Sequence, residues 1–119
     1  MLFNSTTKKK IIGNVRHADG FFGNLRGLMF ERQENFDYAL VFELPRESRI
    51  GASVHMMFVF FPVDILFLDS QKKVVDKATL RPWILNYTPR LAAKYFVEIP
   101  KGLGGKISAG DVLEWKVEK

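Results

Sequence analysis

The chain contains no cysteine, which excludes a disulfide framework and any thiolate metal site. Its two histidines leave little for an imidazole-based centre, so neither a metal nor a cofactor is expected. Long apolar runs are missing as well. The most apolar stretch, Ser53 to Asp69, falls short of the about 20 residues that cross a bilayer, and it carries a proline and an aspartate. The amino terminus lacks the basic-then-apolar order of a signal peptide. A cytoplasmic location without membrane association is therefore expected. No repeat with a period of about 20–50 residues is visible, and no tract has the bias of a disordered segment.

What is present suits one globular unit. A chain of 119 residues, 47% apolar and 13% aromatic, is long enough for a real core, and a single domain over residues 1–119 is expected. The formal charge of +5 favours anionic partners. Apart from Lys8-Lys9-Lys10, however, the bases are spread along the chain and no recognition motif accompanies them. Nucleic-acid binding is thus a third reading, behind small-molecule or protein-partner binding and behind catalysis.

The Ser53–Asp69 run organises the rest. A helix through it is opposed by Pro62, which lacks a backbone donor and clashes with the preceding turn. The Val, Ile and Phe content after the proline favours extended chain. The run exceeds the usual strand length of about 3–10 residues. This predicts two strands, Val54–Phe60 and Val63–Leu68, bent at Phe61-Pro62, where a ladder bond can be given up. By the period of two, Val63, Ile65 and Phe67 share one face and Asp64, Leu66 and Leu68 the other. Both faces are apolar apart from Asp64, so both are expected to be covered.

Around this centre, Met1–Val15 reads as one or two strands. His17-Ala18-Asp19 reads as a helix entry, with Asp19 as N-cap and Phe21, Leu25 and Leu28 at helical spacing. Tyr38–Leu44 is a strand that Pro45 should end. Asp69-Ser-Gln-Lys is a turn joining the central strand to Lys73–Leu80. Tyr95–Ile99 and the alternating Leu113, Trp115 and Val117 complete the strands. The expected class is α+β, mostly β: a small barrel-like domain with one clear short helix packed on it.

Three pieces carry a family resemblance. They are Gly27-Leu28-Met29-Phe30, then His55-Met56 leading into Phe61-Pro62-Val63-Asp64-Ile65-Leu66-Phe67-Leu68-Asp69, and the closing Ile107-Ser-Ala-Gly-Asp-Val. In this order and spacing they resemble the DUF192 family of small prokaryotic domains over roughly residues 16–117. The Leu-Arg-Pro-Trp segment at Trp83 looks like its archaeal branch. Many bacterial members carry Trp-Met-Lys-Asn where this chain has His55-Met56-Met57-Phe58, so no role resting on that Lys-Asn pair transfers. The resemblance implies a compact β-rich domain and no particular reaction.

Two groups of residues stand out as candidate sites. Asp64 on a covered strand must find hydrogen bonds or a cation. It would serve either as a structural acceptor or, with His55 across the corner, as an acid–base pair in a small enzyme. The segment Arg81–Arg90 fits neither period and is too apolar to float in solvent. Trp83 and Tyr87 offer apolar bodies with polar tips, and Arg81 and Arg90 supply fixed cations. That set suits a planar or anionic small molecule or a protein partner at an aromatic, basic rim. The plainer alternative is a lid that closes one end of the domain.

Overall fold

The computed structural model describes residues 1–18, 31–54, 56, 59–84 and 86–116. Eight strands account for nearly half of them: β1 (Leu2–Asn4), β2 (Lys9–Ile12), β3 (Asn14–His17), β4 (Tyr38–Ser48), β5 (Val63–Leu68), β6 (Val74–Leu80), β7 (Ala93–Pro100) and β8 (Leu113–Trp115). Two short 3-10 turns, Gln33–Asn35 and Leu103–Lys106, lie between them. The protein is mostly β, as its alternating sequence implies. The helix expected from Asp19, with Phe21, Leu25 and Leu28 at helical spacing, falls outside the described residues.

The strands form two sheets, in the orders β2-β1-β8 and β3-β4-β7-β5-β6. In the larger sheet β3 and β4 run parallel, and the other neighbours are antiparallel. Strands β3 and β6 are its edges and do not pair with each other. The sheets are therefore open rather than a closed barrel. A bridge between Lys73 and Val112 ties them at one corner.

Strand β5 is buried at all six positions. Val63, Ile65 and Phe67 face a cluster that includes Phe36, Tyr38, Leu40, Phe42, Met56 and Phe61. Leu66 and Leu68 face a second cluster, with Leu2, Ile11 and Leu113 of the smaller sheet. The period-two reading of the two faces thus holds. The smaller sheet covers one side, and the irregular run before β5 helps to cover the other.

That run is the main departure from expectation. Among its described residues Val54–Phe60 contains no strand, only a bridge from Val54 to Tyr87. The bend expected at Phe61-Pro62 is present, but regular pairing begins only at Val63. The reason lies in its hydrogen-bond partners. Met56 donates to the Ile84 carbonyl (2.6 Å) and accepts from the Trp83 N–H (2.9 Å), while Val59 donates back to Met56 (3.1 Å). Among the described residues these bonds belong to an irregular loop and no ladder forms.

Smaller corrections follow the same logic. His17 ends strand β3, opposite Val41, while the expected N-cap Asp19 lies outside the described residues. Pro45 does not stop β4, because the pairing with β7 shifts register between Glu43 and Ser48 and no ladder bond is asked of the proline. The turn after β5 forms as expected: the Asp69 carboxylate accepts the N–H groups of Gln71 (2.9 Å) and Lys73 (3.0 Å).

Phe67 lies at the crossing of these layers, fully buried and packed on both Tyr87 and Phe96. Truncating it should open a cavity that the surrounding strands cannot fill. Phe67→Ala is expected to lower stability by about 3–5 kcal/mol in urea unfolding. A loss under about 1 kcal/mol would contradict a core built around β5.

Candidate functional site

Asp64 opens off the β5 face that meets the smaller sheet. Its Oδ1 accepts the Thr79 hydroxyl at 2.5 Å, and its Oδ2 accepts the N–H groups of Gly102 and Gly104, both at 2.9 Å. Three of the roughly four acceptor positions of a carboxylate are thereby used inside the protein. The chain must approach closely to allow this. A Cβ on Gly104 would lie 2.8 Å from Oδ2, and Gly102 holds φ at +100°. Lys77 secures the same turn, donating through Nζ to the Gly104 (3.1 Å) and Ile107 (2.7 Å) carbonyls. A cavity of about 460 Å³ adjoins these groups.

The Arg81–Arg90 segment lies elsewhere, with the half-buried Tyr87 packed on the opposite face of β5, against Phe67. Tyr87 and Val54 exchange two backbone bonds of 2.8 and 2.7 Å, and the hydroxyls of Ser53 and Thr88 lie 2.8 Å apart. The Arg49 Nε donates to the Pro89 carbonyl at 3.0 Å. The Tyr87 hydroxyl donates to Asp76 Oδ2 at 2.7 Å, and the same oxygen accepts the Arg90 N–H at 3.2 Å. Burial first, then the Asp76 carboxylate, pushes the Tyr87 phenol up to about 12. That phenol stays protonated and acts as a fixed donor.

Trp83 is 46% exposed and sits edge-on to Phe60, itself 59% exposed, with ring centroids 5.6 Å apart. Its φ is +66°, a conformation that costs a bulky residue about 1–3 kcal/mol and persists only where the surroundings impose it. Here the bonds to and from Met56 hold the turn. Arg81 and Arg90 are both exposed.

The expected site residues are therefore not one constellation. Tyr87 and Arg90 meet at Asp76, and Trp83 pairs with Phe60. Asp64 belongs to the other side of the sheet, while His55 lies outside the described residues. Trp83 does not line the cavity beside Asp64. Sequence reading missed Asp76, whose only signal was a carboxylate on the strand face shared with Ala78 and Leu80, and Phe60, which looked like a buried strand residue.

It also missed Glu98. This side chain on central strand β7 is buried, and its Oε1 has no hydrogen-bond partner among the described residues. Burial pushes its carboxyl up to about 8, and a protonated acid avoids the larger cost of a buried charge. Nearby, burial and the adjoining Glu31 carboxylate push the Tyr38 phenol up to about 12, against the lowering effect of Arg16 above the ring. Among the described residues no three His, Cys, Asp or Glu side chains are grouped so as to hold a metal.

These features define a small, two-sheet β protein with an internally satisfied carboxylate and an exposed aromatic rim. The chain belongs to the DUF192 family, described as "Uncharacterized ACR", which matches residues 2–115. It is 46% identical to a UPF0127 protein of Thermococcus sibiricus, over all of this chain and 77% of that one. It is 45% identical to a UPF0127 protein of Pyrococcus furiosus, over 96% of this chain and 97% of that one. These archaeal relatives agree with the branch suggested by the Trp83 segment. Among solved structures, a Novosphingobium aromaticivorans protein of unknown function superposes with a TM-score of 0.74 at 24% identity, covering 85% of this chain and 74% of that one. A Sinorhizobium meliloti protein, described provisionally as a transcription regulator, gives 0.76 at 21% identity, covering 95% and 88%. At these identities the likeness concerns the fold alone.

Two outcomes are expected for the buried carboxylates. Asp64→Ala should cost about 1–3 kcal/mol in chemical denaturation by stranding its donors; a silent substitution would contradict a structural role. For Glu98, the folded chain holds a proton that the unfolded chain releases between its ordinary 4.5 and about 8. Stability should therefore fall as pH rises through that window. Glu98→Gln should remove the decline, so that its melting temperature overtakes the parent's toward pH 8. Parallel profiles for the two proteins would show that Glu98 does not titrate in this way.

Proposed function

We propose that residues 1–119 form a single non-enzymatic binding domain. Its aromatic rim receives a planar, anionic group, carried by a small molecule or by a partner protein. The observation behind this reading is the rigid presentation of Trp83. Its backbone is clamped in an unfavourable conformation by Met56, and its ring stands half-exposed against Phe60. A plain lid would turn that ring into the core. Held aromatic surface binds at low entropic cost, because little freedom is left to lose. Arg81, two residues away, supplies a cation for the edge of a stacked group.

Tyr87, Asp76 and Arg90 have a supporting place in this reading. Their bonds set the course of the segment that carries Trp83, and the Tyr87 hydroxyl is already committed to Asp76. The alternative of a small enzyme using Asp64 and His55 draws little support from Asp64, three of whose roughly four acceptor positions are occupied internally. A general base needs a free position within reach of the proton it removes.

The test is a tryptophan-fluorescence and thermal-shift screen of aromatic and anionic metabolites, with Trp115→Phe used to isolate the Trp83 signal. Binding should quench or shift that signal, and Trp83→Ala should weaken affinity about tenfold or more. Arg81→Gln should weaken anionic ligands more than neutral ones. Ligands whose affinity ignores both substitutions would place binding away from the rim.

A further inference from the structure

Along the sequence the basic residues look dispersed, and that dispersion argued against a polyanion partner. Folding gathers several of them. The 3-10 turn Leu103–Lys106 separates two adjoining open cavities, of about 460 and 640 Å³, which share Gly105. Lys101 lines the first, and Lys9, Lys10 and Lys106 line the second. All four lysines are exposed. None has a carboxylate within ion-pair distance among the described residues, where the pairs are Arg32–Glu34 and Lys94–Glu43.

Two carboxylates also line these cavities, and each is turned inward. Asp64 is held by Thr79 and the glycine N–H groups. Asp111 Oδ2 accepts from Asn4 Nδ2 and the Ser108 N–H, both at 2.9 Å. The Asn4 bond foremost, then that of Ser108, lowers its pKa. Their oxygens accept from internal donors, whereas the four lysines are exposed. With Lys77 included, five lysines against two carboxylates line the double groove, so its lining carries a net positive charge.

We infer that this groove binds the phosphodiester backbone of nucleic acid without reading its bases. The chemistry of the groove selects that partner in three ways. Lysines are compact point charges suited to successive phosphates, not planar forks for one carboxylate. Among the described residues neither cavity is lined by an aromatic or an arginine, so bases find neither a stacking surface nor a bidentate donor. The backbone N–H groups that could pre-organise a single small phosphate are already given to Asp64. A run of charges along an open groove suits a chain of phosphates better than one buried anion.

The test is fluorescence anisotropy with a labelled DNA duplex and a labelled single-stranded RNA, each in two unrelated sequences, at rising salt. Binding should be sequence-independent, and log affinity should fall linearly with log salt. Lys9→Gln with Lys10→Gln, and separately Lys101→Gln with Lys106→Gln, should each reduce the salt slope by about 2 and low-salt affinity by about tenfold. Arg46→Gln is the control. Arg46 is exposed near the Ser48–Ala93 end of the β4–β7 pair, and Lys101 follows the other end of β7, about 25 Å away by strand rise. Its slope should match the parent's, and Trp83→Ala should leave binding unchanged, which separates this groove from the rim. Absence of binding at low salt would overturn the inference. So would slopes unmoved by the lysine variants, or binding to inorganic polyphosphate or anionic vesicles but to neither nucleic acid.

Discussion

The architecture depends on the burial of β5 on both faces. A strand with Val63, Ile65 and Phe67 on one side and Leu66 and Leu68 on the other cannot leave either side to water. Each fully buried side chain of this kind is worth about 1.5–3 kcal/mol. Two separate layers must therefore be supplied. The smaller sheet covers one side with Leu2, Ile11 and Leu113. Phe36, Met56, Phe61 and the neighbouring irregular chain cover the other. Asp64, the charge within β5, is tolerated because a glycine turn comes close enough to bring it two N–H donors.

The two covers differ in kind, and that difference generates the rim. Regular strands on one side satisfy their own backbone. The irregular cover must borrow donors and acceptors, and it takes them from the segment after β6. Met56 and Val54 thus fasten the turn that carries Trp83 and the strand-like contact at Tyr87. The aromatic ring left in solvent follows from these backbone bonds, since the clamped turn carries Trp83 outward while Ile84 and Tyr87 pack inward. An exposed aromatic pair leaves apolar surface in water at some cost.

Charge is arranged with the same economy. Asp64, Asp76 and Asp111 each accept two or three internal hydrogen bonds. Glu98 lacks such donors at Oε1 and meets burial by keeping its proton. Around the Gly102–Lys106 turn the lining carboxylates Asp64 and Asp111 are buried while Lys9, Lys10, Lys101 and Lys106 are exposed. A modest formal charge becomes a local basic groove.

The sequence by itself determined what depends on neighbours along the chain: the β class, the two faces of β5, the Asp69 turn, the corner at Pro62 and family membership. Period-two patterning and turn chemistry act over a few residues and are legible without coordinates. The tertiary structure alone decided what depends on partners far away in sequence. Val54–Phe60 has the composition of a strand, yet the backbone of Val54 and Met56 bonds to Trp83, Ile84 and Tyr87, far later in the chain. Asp64 and Trp83 both looked like site residues, but β5 lies between them because successive side chains point to opposite faces. Asp76 gained its role from Tyr87, and Lys9 and Lys106 became neighbours only when β1, β2 and β8 joined in one sheet. Local pattern sets which face a residue takes; the long-range backbone partner sets what that face meets.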